Sequence, residues 1–507
     1  MLARRAIAVP PMAFLAVFFF VPVTATLSGF FRPSVLVDTI GEPFFLRLGW
    51  FSLWQATASV LVTLAVGMPA AWALSRFSLP GVALVRGILS APFVLPAVVV
   101  GAGVLAVMPE DHGTGVVPIL WAHALFNVSV VLRLVGPRWE MLDVRLEHAA
   151  ALLGAGPVSR MRHVVWPHIR NATVNASLIV FLYCFTSFGV IVIVGGFSRR
   201  TLESEIYTQT IRLGDTRTAT ALAVVQMIVI GAAVLLSRCA RSSTEPPSST
   251  SPRRRLDHPT VRPVTVIAAL AVAMTIVVLP LVATLVRSVR NASTGSWTLA
   301  GWRALFDDRL PGSNESALQV ISNSAMFAIG AAVVCMPLSL AVVASRSRWA
   351  LAVSSLPIVV SSATLGVGLI VAFDDDPFAW RSKWWLLPLV HAAIAFPLTT
   401  RTLHPAHAAV PVQLRRAAAL LGAGGLRTFL HVEMPLMRQA VLRATGLSMA
   451  MSLGEFGATS FLSRSGSTTL PIAIGELFGR TGQLPQLAGF ALSGLFIIVT
   501  VGVMSRA

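Results

Sequence analysis

Runs of about twenty apolar residues recur along this chain, and no other feature limits its fold so tightly. In lipid a backbone segment must satisfy its own hydrogen bonds. A helix of that length does so while crossing a hydrocarbon layer of about 30 Å. Twelve such runs are read at about 6–27, 50–74, 88–108, 116–135, 172–195, 218–237, 264–286, 319–344, 350–373, 384–402, 440–462 and 486–505. Only 12% of the 507 residues are charged and 55% are hydrophobic, whereas soluble domains carry about 25% charge. The reading is an all-α, multi-pass membrane protein. The first run resembles a signal peptide, but no small-residue cleavage site follows Phe20, so it is expected to be retained.

Charge sets the orientation. With the N-terminus in the cytoplasm, the inner segments hold 25 basic and 6 acidic residues, and the outer ones 14 and 15. This Lys/Arg bias is the positive-inside pattern, so both termini are expected to be cytoplasmic. Orientation thereby accounts for the net charge of +18, and no nucleic-acid partner is expected. Cys184, Cys239 and Cys335 have neither disulfide-framework nor zinc spacing.

Residues 238–263 interrupt the apolar pattern with a polar, basic, Pro/Ser-rich stretch that reads as a cytoplasmic linker. It separates two expected six-span repeats, 1–237 and 264–507. The repeats match at an offset of 268. Met68-Pro69 recurs as Met336-Pro337, His123 as His391, Arg133 as Arg401, Phe188-Gly189 as Phe456-Gly457, and Thr201-Leu202 as Thr469-Leu470. An even number of spans per copy makes the repeats parallel.

The most informative segment lies between the fourth and fifth spans of each copy. Leu146, Ala149, Ala150 and Leu153 follow i, i+3, i+4, i+7 spacing and predict a short helix with one apolar face. Gly154 stands where a helix ends in the left-handed conformation, and Pro167 follows thirteen residues later. The second copy repeats this with Leu414, Ala417, Ala418, Leu421, Gly422 and Pro435. A helix rich in alanine lets a partner approach closely, and its uncovered apolar face calls for a protein groove. A plain membrane-surface connector is the alternative, but it gives no reason to keep glycine and proline in step twice.

The stretch from His148 to Gly154 with Val164–Pro167, and that from Arg416 to Gly422 with Val432–Pro435, resemble the Glu-Ala-Ala, Gly, Ile-x-Leu-Pro loop of ABC importer permeases. The resemblance covers essentially the whole chain and implies a type I importer permease fold. The fused two-copy form is similar to the permeases of thiamine and ferric-iron importers. Residues 121–127, 184–189, 201–207 and 452–457 look most like the thiamine branch. In that family the loop is a coupling helix that docks in a cleft of the ATPase. The resemblance therefore implies coupling roles for Glu147, His148, Ala149, Ala150, Gly154, Pro167, Arg416, Ala417, Ala418, Gly422 and Pro435. It also implies two copies of a cytoplasmic ATPase, an extracytoplasmic solute-binding protein, and a bacterial inner-membrane location. Outer segments 196–217 and 464–485 would lie near the docked binding protein. The family's usual glutamate is replaced by His148 and Arg416, with Glu147 one residue early. Thiamine or a related organic cation is the favoured solute, and ferric iron the alternative.

The chain holds a single lysine, Lys383, followed by Trp384. A Walker A loop needs its lysine before Ser or Thr, so ATP and magnesium are expected on the partner and no cofactor here. No catalytic or metal-ligand constellation stands out. Gly101/Gly103 and Gly366/Gly368 read as close helix packing. Glu455 is either a pathway carboxylate for a cationic solute or a locally partnered one, and Ser187 is its counterpart. His123 and His391 read as hydrogen-bonded packing residues, with a pathway role as the alternative. Asp374, Asp375 and Asp376 read as a solvated charge run. An ion-driven secondary transporter would need coupling acids in the spans, and apart from Glu455 essentially none is seen. It would also leave the twinned loops unexplained, and a non-transporting membrane scaffold is a third reading.

Overall fold

The computed structural model describes residues 6–27, 39, 41–109, 113–196, 199–239, 263–292, 294–374 and 379–504. Asp375, Asp376 and nearly all of the expected linker lie outside the described residues. The described chain is helical, with an isolated antiparallel bridge between Arg290 and Trp297. The helices that matter below are α1 Val9–Leu27, α2 Pro43–Arg76, α3 Val82–Phe93, α4 Ala97–Val107, α5 Val116–Met141, α6 Val144–Leu152, α7 Trp166–Phe185, α8 Thr216–Leu236, α9 Pro263–Arg287, α10 Ala317–Ser345, α11 Arg348–Val359, α12 Ser362–Phe373, α13 Leu386–Ala408, α14 Val412–Leu420, α15 Arg438–Gly454, α16 Gly457–Leu462 and α17 Gln483–Gly502.

Eight of the twelve expected spans are whole helices: α1, α2, α5, α8, α9, α10, α13 and α17. The third and ninth are bent pairs, α3/α4 at 107° and α11/α12 at 98°. Proline explains the first bend, since Pro96 opens α4 with extended backbone. At the second, Val360 is extended and the Ser361 hydroxyl accepts the Thr364 N–H at 3.0 Å, capping α12. The fifth and eleventh spans are α7, and α15 with α16. They fall short of an unbroken apolar helix because α7 carries His168, Arg170, Asn171 and Asn175, and both are interrupted at Thr186–Phe188 and Glu455–Phe456. The two interruptions occupy matching register positions.

Packing divides the chain into two compact units that interleave the sequence repeats. One comprises Met1–Thr39, Glu205–Met227 and Ser313–Ala473; the other comprises Ile40–Ser204, Ile228–Gly312 and Ile474–Ala507. Each repeat's first helix thus packs within the unit built mainly from the other repeat. In the first unit, Gly368 of α12 faces Pro22 and Thr26 of α1 so closely that an added Cβ would stand 2.2 Å from the Pro22 carbonyl oxygen. In the second, Gly103 of α4 faces Pro280 and Thr284 of α9, where the same Cβ would stand 3.1 Å from the Pro280 oxygen. Both threonines turn their hydroxyls back onto the proline carbonyl, at 3.0 Å for Thr26 and 2.9 Å for Thr284. Gly101 and Gly366 meet Ile193 and Phe461, so the paired glycines are packing residues.

Beneath the loops the same register positions build both cores. Val135, Leu142, Ile169 and Ala176 are buried in one unit, and Leu403, Val410, Met437 and Ala444 in the other. Each set sits 268 residues from its counterpart, so the repeat is a repeat of packing as well as of sequence.

Candidate coupling site

The twin loops fold alike. Helices α6 and α14 are nine residues each and occupy equivalent positions. Their starts differ: the Asp143 carboxylate accepts the Arg145 N–H at 2.9 Å, whereas Pro411 stands at the equivalent place. Their ends coincide. Gly154 has φ +82° and Gly422 φ +77°. Gly154 N–H donates to the Ala151 carbonyl at 3.0 Å and Ala155 N–H to Ala150 at 2.9 Å; Gly422 and Ala423 do the same to Ala419 and Ala418, both at 3.0 Å. This paired closure, with glycine in the left-handed region, stops the helix and turns the chain sharply. A one-turn helix and a π-helical segment follow in each copy, Pro157–Arg160 then Met161–Val165, and Gly425–Thr428 then Phe429–Glu433. Pro167 and Pro435 follow directly on these π-helical segments, so each lies within a continuous run of helix at a π-bulge rather than at a free helix start.

Each turn presents a leucine pair. Leu152 and Leu153 are 90% and 87% exposed, and Leu420 and Leu421 are 89% and 87% exposed. No residue of α6 is buried, and in α14 only Ala418 is. His148, Ala149, Arg416 and Ala417 are exposed and Ala150 is half-buried. Apart from Ala418 and the half-buried Ala150, the predicted face therefore stands exposed, and its most prominent part is the leucine tip.

The anchors beneath were not predicted, and they have opposite polarity in the two copies. Glu147 forms an ion pair with Arg76, the last residue of α2, which also donates to the Leu142 carbonyl at 2.9 Å. The Glu147 side chain is only 16% exposed, so its carboxylate faces the anchor. The register counterpart of Glu147 is Arg415, and it too faces inward. Arg415 Nε donates to Glu433 Oε1 at 2.7 Å, Arg346 donates to the same oxygen at 2.8 Å, and His407 Nε2 meets Glu433 Oε2 at 2.7 Å. Burial alone would raise the Glu433 carboxyl pKa, but the hydrogen bonds from His407 and Arg415 and the surrounding positive charge outweigh it and hold it below the ordinary carboxylate value. The charge swap between Glu147 and Arg415 was the available sequence signal, but partners 71 and 18 residues away are not legible from spacing.

A depressed carboxylate stabilises the fold above its unfolded pKa, and this contribution is lost as pH falls through the folded value. Acidification below about pH 4.5, the reference carboxyl value, should therefore lower the thermal midpoint of the purified chain. Glu433→Gln should start lower at pH 7, by about 1–3 kcal/mol, and lose less on acidification. Parallel acid curves for the two proteins would refute this role.

The pathway candidates are buried. Glu455 closes α15, and its carboxylate accepts the Ala458 N–H at 3.0 Å and contacts Thr459 at 3.5 Å. His391 spans Ser452 at 2.7 Å and Thr459 at 2.8 Å. Glu455 and His391 thus share one network that ties the broken helix together. His123 contacts Ser59 at 2.8 Å, and Ser187 is buried at the matching break in the first copy. The loop residues and these buried groups form separate clusters. Asp374 pairs with Arg381 at 2.7 Å. Among the described residues no group of three or more His, Cys, Asp or Glu is placed to hold a metal ion.

Comparison with known proteins matches residues 344–506 to the family described as binding-protein-dependent transport system inner membrane component. The chain is 28% identical over 502 residues to the thiamine transport system permease protein ThiP of Brucella abortus, covering 92% of this chain and 88% of that one. It is 25% identical over 492 residues to the probable ABC transporter permease protein y4fN of Sinorhizobium fredii, covering 89% and 84%. A shorter match, 30% identity over 159 residues, links it to the putative 2-aminoethylphosphonate transport system permease protein PhnV of Salmonella typhimurium, covering 31% and 59%.

Proposed function

We propose that this chain, an ABC importer permease of the binding-protein-dependent type, moves a thiamine-like organic cation inward by alternating access, driven by two copies of a separate cytoplasmic ATPase. The observation that carries the coupling assignment is the pair of identically closed turns, each ending in a leucine pair that is 87–90% exposed among the described residues. Each ATPase copy receives one turn. Arg76–Glu147 in one repeat and Arg346–Glu433–Arg415 in the other fix the turns to helix ends, so closure of the ATPases is transmitted as rigid displacement of α2 and α10. Only differential binding between conformations can drive that displacement. In this reading both termini and both turns are cytoplasmic, a solute-binding protein delivers the solute from outside, and the protein resides in a bacterial inner membrane. The near full-length likeness to a thiamine permease supports the solute class.

The test uses proteoliposomes with the ATPase and the loaded binding protein. Gly154 and Gly422 have open space around them, but their positive φ penalises any side chain, by about 1–3 kcal/mol per residue. Gly154→Val with Gly422→Val should insert normally yet lose solute-stimulated ATP hydrolysis and uptake. Full stimulation in the double variant would reject the coupling assignment. Uptake of ferric iron but not thiamine by the wild type would leave the coupling intact and replace the solute.

A further inference from the structure

The second repeat carries far more positive charge around its anchor than anchoring requires. In the first repeat one arginine, Arg76, meets one carboxylate, Glu147. In the second, a cavity of about 460 Å3 lies where α10, α11, α13 and α14 meet, lined by Arg346, Arg348, His404, His407 and Arg415 over an apolar floor that includes Val343 and Leu351. Glu433 is the carboxylate bonded there, and its two oxygens are already taken by Arg346, Arg415 and His407. Arg348 and His404 have no acidic partner among the described residues. The internal duplication supplies the control. At the same register the first repeat has Ser78, Pro80, Gly136, Trp139 and Glu147, none of them basic. The first copy keeps an anchoring arginine, Arg76, but has no counterpart of Arg348 or His404 at their register positions.

We infer that this cavity is a binding site for a phosphate-bearing anion. Arginine guanidinium groups match phosphate oxygens geometrically. A basic rim over apolar residues at the ends of membrane-crossing helices also suits a phospholipid headgroup whose glycerol meets Val343 and Leu351. The inference requires neither the solute assignment nor an ATPase, although Arg346 and Arg415 also belong to the anchor.

The test is titration calorimetry on the delipidated full-length chain in neutral detergent, with dioctanoyl phosphatidylglycerol, dioctanoyl phosphatidylcholine and inorganic phosphate as separate probes. Arg348→Ala with His404→Ala removes cavity charge but spares the Arg346–Glu433–Arg415 anchor, and Arg170→Ala removes an exposed arginine of the first repeat. Expected is one saturable phosphatidylglycerol site per chain, weakened at least tenfold in the Arg348/His404 variant and unchanged in Arg170→Ala. Equal binding of inorganic phosphate would support the site with a free anion as its ligand. Non-saturable binding, or equal affinity in the wild type and a folded Arg348/His404 variant, would overturn it. So would a variant that binds lipid normally but no longer retains the ATPase, because the charge would then serve the motor protein.

Discussion

Replacing Leu152, Leu153, Leu420 and Leu421 with aspartate is expected to leave the chain in the membrane and strip the ATPase from it. The four side chains are 87–90% exposed, so the uncomplexed fold loses almost nothing with them. Burying each in a partner groove contributes about 1.5–3 kcal/mol. Each ATPase copy meets two of them, so even half of the lower total weakens its association about tenfold, and the buried carboxylates that replace them cost more. Co-purification of the ATPase and stimulated hydrolysis should both disappear, while the thermal midpoint of the isolated chain stays within error. Substituting one copy should retain partial association, because the other turn still docks. Normal co-purification of the quadruple variant would mean that the leucine tips do not dock.

The second large effect concerns the exchanged first helices. Gly368→Ala places a methyl group 2.2 Å from the Pro22 carbonyl oxygen, a backbone atom that cannot swing aside. Gly103→Ala meets the Pro280 oxygen at 3.1 Å, and Gly446→Ala meets nothing within 4 Å. Stability should fall in that order. Gly368→Ala should reach the upper end of the 1–3 kcal/mol typical of overpacking, or about 3 kcal/mol. Gly103→Ala should lose less, and Gly446→Ala should be neutral or slightly stabilising because alanine favours the helix. Thermal unfolding of the three variants in one detergent decides it. Equal midpoints for Gly368→Ala and Gly446→Ala would show that α1 does not pack on α12 in this way.

Much of this was legible in the sequence, for identifiable reasons. Apolar runs mark the spans because lipid enforces them. The 268-residue register marks the repeat, and the same offset relates Val135 to Leu403 and Ile169 to Met437 in the two cores. Glycine after Ala-Ala-Ala-Leu-Leu marks the helix stop because few other residues tolerate φ near +80°. The bends of α3/α4 and α11/α12 were not legible, since hydropathy continues through a turn without recording a change of direction. Nor was the exchange of α1 and α9 between repeats, because periodicity identifies a face but not the helix it meets. The buried partners of Glu455 and His391 depend on chain segments brought together only by folding. The resemblance implies a coupling role for Glu147 one residue early, and the Arg76 partner of its carboxylate lies too far along the chain to be read from spacing. With that carboxylate paired, the side chains α6 leaves most exposed are the leucines at its end.

Site-specific photo-cross-linking in native membranes addresses the coupling claim most directly. A photoreactive phenylalanine analogue is placed at Leu153 or at Leu421 in cells that also produce the ATPase. Both positions should yield one dominant adduct with the ATPase subunit and little with lipid. Adducts formed mainly with phospholipid at both positions, with the ATPase present and active, would contradict the account.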